Sequence, residues 1–233
     1  MGLRPVMVNI KAVDHVAVGR FWAGALGWTA HSRSTTWVAP GDEFVWPDPV
    51  VIGVDVVPVP GAKTAKNQVH LDLAYEKGLV DRVRDLGATP VDIGQGDVPW
   101  TVLADPEGNE FCVLEPRDVY RDTGPIAAIV VDSPDPRVSA RFWGAAIDWT
   151  PRQVTGDFAA LRAGSGDGPF LEFLRAPGGG DRLHLDLLPT DEHAEVERLR
   201  ALGATDLDVG QGAVPWTVLA DPAGLGFCVL NPE

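Results

Sequence analysis

The sequence predicts an α+β fold: a tandem duplication in which four βαβββ modules form two curved-sheet barrels or clefts. Two observations carry this. RFWAGALGW (Arg20 to Trp28) returns as RFWGAAIDW (Arg141 to Trp149), HLDL occurs at His70 and again at His184, and GQG-x-VPWTVLADP starts at Gly94 and again at Gly210. These segments keep their order and differ only in the loops between them, which shared composition cannot produce, so one structural unit has been duplicated by fusion. The second observation is that each copy alternates strand-like and helix-like runs twice over. The join lies near residues 117–125, giving domains 1–118 and 119–233.

In the first copy PVMVNIKAV is β-branched and apolar, as a strand requires. Asp14 then caps a helix with Phe21, Trp22, Ala25 and Leu26 on one side, and Gly27 ends it. The second copy repeats this as AAIVV, then DSPDP with Pro136 in a first helical turn, then a helix through Val138, Phe142, Trp143 and Ile147. Short extended pieces follow: TTWVAP, EFVW and VVIGVDVV, matched later by FAALRA and PFLEFL. Each half then starts again with QVHLDLAY or RLHLDLLP, a helix LVDRVRDLGA or HAEVERLRALGA ended by glycine, and strands TVLADP and FCVL. Thr190 is the expected N-cap of the last helix, with Val196, Leu199 and Leu202 as its buried stripe. Such a module presents a curved sheet with its helix outside, and two modules facing each other enclose a cleft suited to a small molecule.

Composition narrows the function. With 33 acidic against 19 basic residues the chain carries a formal charge of −14. Nucleic acid and anionic lipid are excluded as partners, because phosphate contacts need clustered Lys and Arg. A neutral or cationic small organic molecule is favoured instead. No run of residues is long and apolar enough to span a membrane, and MGLRPVMVNI lacks the charged-then-apolar layout of a signal peptide, so a cytoplasmic location is expected. Cys112 and Cys228 sit in equivalent FCVL runs and are expected to be reduced, buried thiols.

FW-x4-LGW after a short strand, HLDL, LGAT and DPEGNEFCVL together resemble the vicinal oxygen chelate superfamily of glyoxalases, bleomycin-resistance proteins and extradiol dioxygenases. The resemblance covers nearly the whole chain. It implies the paired-module fold, but it spans isomerases, dioxygenases, epimerases and proteins that only sequester antibiotics. Metal-dependent members place ligands on four strands. Those places fall here on Met7 and Ala128, near Asp55 and Glu172, on His70 and His184, and on Cys112 and Cys228. Methionine, alanine and cysteine in such places imply no metal cofactor; were one held, its ligands would be His70, Cys112, His184, Cys228 and Glu172.

His70 with Asp72, and His184 with Asp186, are two apart along a strand and project from one face. Imidazole beside carboxylate suits acid–base work without a metal, so these four are the expected catalytic residues. Structural pairing alone is the competing reading. Trp37, Trp46, Trp100 and Trp216, with Asp55 and Glu172, are the expected ligand-binding residues. Trp37 and Trp46 lack tryptophan counterparts in the second copy, which points to specialisation in the first half. His15 aligns with Pro136 and reads as structural; GQG reads as a turn; Lys63 and Lys66 are placed at the mouth of a cleft. The first functional reading is metal-independent lyase or isomerase chemistry on an organic metabolite by a monomer or homodimer. The alternatives are a bleomycin-resistance-like sequestration protein and a metal-dependent glyoxalase or dioxygenase. Module pairing stays open between two schemes; joining the first module to the fourth would bring Asp55 to His184 and Cys228.

Overall fold

The computed structural model describes residues 3–41, 43–210 and 212–231. Module one comprises β1 (Arg4–Ala12), α1 (His15–Leu26), β2 (Thr29–Ser32), β3 (Thr36–Ala39) and β4 (Gly53–Pro58). Module two comprises β5 (Val69–Leu73), α2 (Leu79–Asp85), β6 (Thr89–Pro90), β7 (Thr101–Ala104) and β8 (Glu110–Val113). A 3-10 turn at Asp118–Tyr120 leads into module three: β9 (Ile126–Ser133), α3 (Pro136–Ile147), β10 (Thr150–Val154), β11 (Phe158–Arg162) and β12 (Phe170–Arg175). Module four is β13 (Leu183–Leu188), α4 (Glu192–Ala201), β14 (Thr205–Asp206), β15 (Trp216–Ala220) and β16 (Gly226–Leu230).

The modules pair across the duplication. One eight-stranded sheet runs β14-β15-β16-β13-β1-β4-β3-β2 and the other runs β10-β11-β12-β9-β5-β8-β7-β6. The first sheet therefore joins module one to module four through antiparallel β1 and β13, and the second joins modules two and three through β5 and β9. Neither sheet closes into a barrel; each is an open, curved sheet with free outer strands.

Helix placement follows local chemistry. Asp14 accepts hydrogen bonds from the Val16 and Ala17 amides, and Gly27 ends α1 at φ 68°, a left-handed conformation that costs glycine little. Pro136 stands in the first turn of α3, capped by Asp135. At α4 the cap is Asp191, which accepts from the Ala194 amide, and not Thr190. A carboxylate there also meets the positive end of the helix dipole, which a hydroxyl does not. Leu202 lies past the last turn of α4 and is 37% exposed, so the buried stripe is Val196 and Leu199 alone. EFVW forms no strand. Pro47 and Pro49 beside it supply no backbone donor and restrict the residues before them.

One apolar core runs between the sheets. It takes Val8, Ile10 and Leu185 from one, Leu71, Ile129 and Phe173 from the other, and the buried faces of all four helices. Trp22 packs edge-on against Phe111 at 5.3 Å and Trp143 against Phe227 at 5.1 Å. Their indole N–H groups donate to the buried carboxylates of Asp105 (3.2 Å) and Asp221 (2.8 Å). With this face of each sheet committed to the core, alternation along the strands leaves the opposite faces available for a site.

Candidate functional site

The strand registers lay out two equivalent faces row by row. In the first sheet Trp37, Asp55, Asn9 and His184 form one row, and Gly53, Met7, Asp186 and Cys228 the next. In the second sheet the matching rows are Ala160, Glu172, Val130 and His70, then Phe170, Ala128, Asp72 and Cys112. Asp55 and Glu172 are therefore true counterparts. Both histidines face the same side as their aspartates: His184 Nε2 lies 3.2 Å from Asp186 Oδ1, and His70 Nε2 lies 3.4 Å from Asp72 Oδ1.

The two faces differ in what covers them. The first sheet lines a cavity of about 460 Å³, whose walls include Met7, Asn9, Asp55, His184, Asp186 and Trp216. The second is filled from within. Tyr120, in the segment joining the two copies, lies over it with its ring edge-on to Phe170 at 5.7 Å, and its hydroxyl donates to Glu172 Oε1 at 3.3 Å. Ala128, Val130, Ala160 and Phe170 pack beneath that ring. Thus His184 and Asp186 meet an open cavity, whereas His70 and Asp72 lie in a filled one.

The remaining expected residues are distributed as follows. Trp37 meets Phe44 at 5.9 Å with the rings tilted by 46°, its indole nitrogen beside Gly53, and does not line the cavity. Trp46 is 37% exposed in the loop before β4 and lies outside the cavity wall. Trp100 packs with Val102 and Cys112 on the second sheet, with the Arg117 guanidinium 5.7 Å from its ring centre. Glu172 belongs to the filled face. The cavity therefore draws on the first and fourth modules rather than on the first half alone. Lys63 and Lys66 are not at its mouth: Lys63 pairs with Glu110 at 2.6 Å and Lys66 with Asp132. His15 is structural, its Nδ1 meeting Thr36 Oγ1 at 2.9 Å. The four GQG glycines, Gly94, Gly96, Gly210 and Gly212, have the positive φ expected of turns; Gln211 lies outside the described residues.

Sequence reasoning missed Asn9. It is 7% exposed, stands between Asp55 and His184, and its Oδ1 has no hydrogen-bond partner. The signal was available: an asparagine in an otherwise apolar first strand, aligned with Val130 of the second copy. Asp55 Oδ1 and Asp186 Oδ1 are likewise buried without partners. Burial raises the Asp55 carboxyl above the usual carboxylate range, and the Asp186 charge adds to this, against a hydrogen bond with Thr35 that lowers it. In the filled face burial, reinforced by the Asp72 charge, pushes Glu172 up to about 7.

His184, Asp186 and Cys228 bring one donor atom each within 4.8 Å of the others, as do His70, Asp72 and Cys112. These sets do not fit a hard divalent cation. Burial first, then the adjacent aspartate, pushes both thiols upward. The neighbouring first-strand positions offer only Met7, a soft thioether, and Ala128, no donor at all.

The glyoxalase-like domain profile matches residues 7–114 and 128–230, once in each copy. The chain belongs to the glyoxalase-like domain family. Among solved structures, glyoxalase I from Zea mays is similar over 99% of this chain and 92% of its own, with 14% identity and a TM-score of 0.69. A putative dioxygenase from Bacillus subtilis is similar over 98% and 85%, with 13% identity and a TM-score of 0.62. At such identities the likeness concerns the fold. No curated protein matches the chain. Among the described residues of this glyoxalase-like protein no helix is long and apolar enough to cross a membrane.

Proposed function

We propose that this glyoxalase-like protein binds a small organic molecule in the cavity of the first sheet and moves a proton on it through His184, with no metal. The supporting observation is the placement of His184 Nε2 3.2 Å from Asp186 on the wall of an open cavity of about 460 Å³. Imidazole can take a proton from carbon or oxygen and return it elsewhere, and the carboxylate can orient the ring and stabilise its charged form. That combination serves isomerisation and elimination alike. The approach of the two groups lacks hydrogen-bond geometry, since Asp186 Oδ1 has no partner; ligand binding would bring them into line.

The second reading, sequestration without chemistry, is favoured by the apolar wall and by Trp216, 39% exposed beside the cavity. A single experiment separates the two. A pool of small metabolites is incubated with the protein in D2O and followed by NMR for deuterium entering carbon-bound positions. Proton-transfer chemistry gives incorporation that His184→Ala abolishes. No incorporation, alongside tryptophan quenching by the same pool, assigns the cavity to sequestration.

A further inference from the structure

The filled face shows what the open one is shaped to accept. Tyr120 is in effect an internal ligand: an aromatic ring lying on the sheet, its hydroxyl directed to a buried carboxylate. Asp55 stands in the first sheet where Glu172 stands in the second. The sheet rows also exchange an aromatic side chain: Phe170 packs with Ala160 in the second sheet, and Gly53 lies against Trp37 in the first, while the aromatic side chains of the cavity wall are Trp216 and Phe227. A side chain at position 53 would press on the Trp37 indole, because a Cβ there would come within 3.3 Å of its Nε1.

The hydrogen-bonding inventory agrees independently. Asn9, at 7% exposure, and Asp55 each line the cavity with an acceptor oxygen that has no partner; Asp186 Oδ1 is unpartnered too, as is its counterpart Asp72 Oδ1 in the filled face. The cationic side chain in this wall, Lys11, is already paired with Asp181 at 2.6 Å. Buried acceptors without donors are costly, so a ligand supplying donors gains most there. A ligand bringing further negative charge is repelled by both aspartates.

We propose that the cavity takes an aromatic molecule bearing a neutral or cationic hydrogen-bond donor, a phenol or an aromatic amine, with the donor directed at Asp55 and Asn9. This rests on the reading of the cavity as the small-molecule site and names its ligand class. In the second face Tyr120 supplies such a donor to the counterpart carboxylate, Glu172.

The test uses 4-methylphenol, its methyl ether 4-methylanisole, and 4-methylbenzoate, titrated against the whole chain by tryptophan fluorescence and by calorimetry. The phenol should bind one site at least tenfold more tightly than the ether, which cannot donate, and than the anion. Asp55→Asn should shrink the preference over the anion, and Asn9→Leu should weaken the phenol. Tyr120→Ala should open a second phenol site, seen as doubled stoichiometry and as thermal stability regained on adding the phenol. Equal binding of phenol and ether, tighter binding of the benzoate, or no phenol binding by the unmodified chain would overturn the proposal. If His184-dependent deuterium incorporation persisted in any of those cases, only the ligand class would fall and the cavity would keep its assigned chemistry.

Discussion

Asp55 and Glu172 occupy the same place in the two sheets, yet Glu172 accepts a hydrogen bond from Tyr120 while Asp55 Oδ1 faces no partner. In one face the central carboxylate is thus held by the plug residue Tyr120, and in the other it bonds Thr35 but leaves one buried oxygen unmet.

Glu172 should make stability depend on pH. Its carboxyl is raised from 4.5 to about 7, so the folded chain holds the proton more tightly than the unfolded one. This contribution favours the fold below the unfolded value and is lost as pH rises through the folded one. Glu172→Gln has no charge to bury. Relative to the wild type it should therefore gain about 3 kcal/mol between acidic conditions and mildly alkaline ones, read by urea unfolding across that range. A difference that stays constant with pH would show that Glu172 is not held in its neutral form.

Tyr120→Ala should destabilise the chain by about 2 kcal/mol, through loss of ring contacts with Phe170 and of the hydrogen bond to Glu172. Tyr120→Phe should cost less, about 1 kcal/mol, because the ring remains and only the donor is lost. Chemical denaturation measures both. Equal stability of all three proteins would mean that the segment merely rests on the sheet.

The duplication, the module order and the faces of the HxD strands were legible because period-two alternation and repeated motifs are local properties. The caps at Asp14 and the stop at Gly27 were legible for the same reason. Which module pairs with which was not, since β1 reaches β13 across some 170 residues and nothing in either strand names its partner. Tyr120 was invisible as a plug because it lies in the joining segment, outside the repeat that drew attention. Asn9 was overlooked beside Met7, the position the family resemblance emphasised. The DP turns, by contrast, carried a signal that went unread. Asp105 and Asp221 recur with Trp22 and Trp143 because each carboxylate holds the indole N–H of a helix on the other side of the core.

That indole pairing is itself testable. Asp221→Ala should cost roughly 2 to 3 kcal/mol, since it orphans the Trp143 N–H and removes the acceptor for the Ala223 and Leu225 amides. Urea unfolding gives the value, and a loss below about 0.5 kcal/mol would refute the role.

Protein purified without chelators should carry no stoichiometric divalent metal by elemental analysis, because the first-strand places offer only the thioether of Met7 and the donorless Ala128. One bound zinc per chain, lost together with activity on chelation, would reverse this reading.

The two histidines provide the most direct comparison. His184→Ala and His70→Ala remove the same side chain from an open face and from a filled one, so deuterium incorporation into a bound ligand in D2O should fall about a hundredfold or more in the first and stay near the wild-type rate in the second. Equal losses, or a loss confined to His70→Ala, would contradict the placement of the chemistry in the cavity shared by the first and fourth modules.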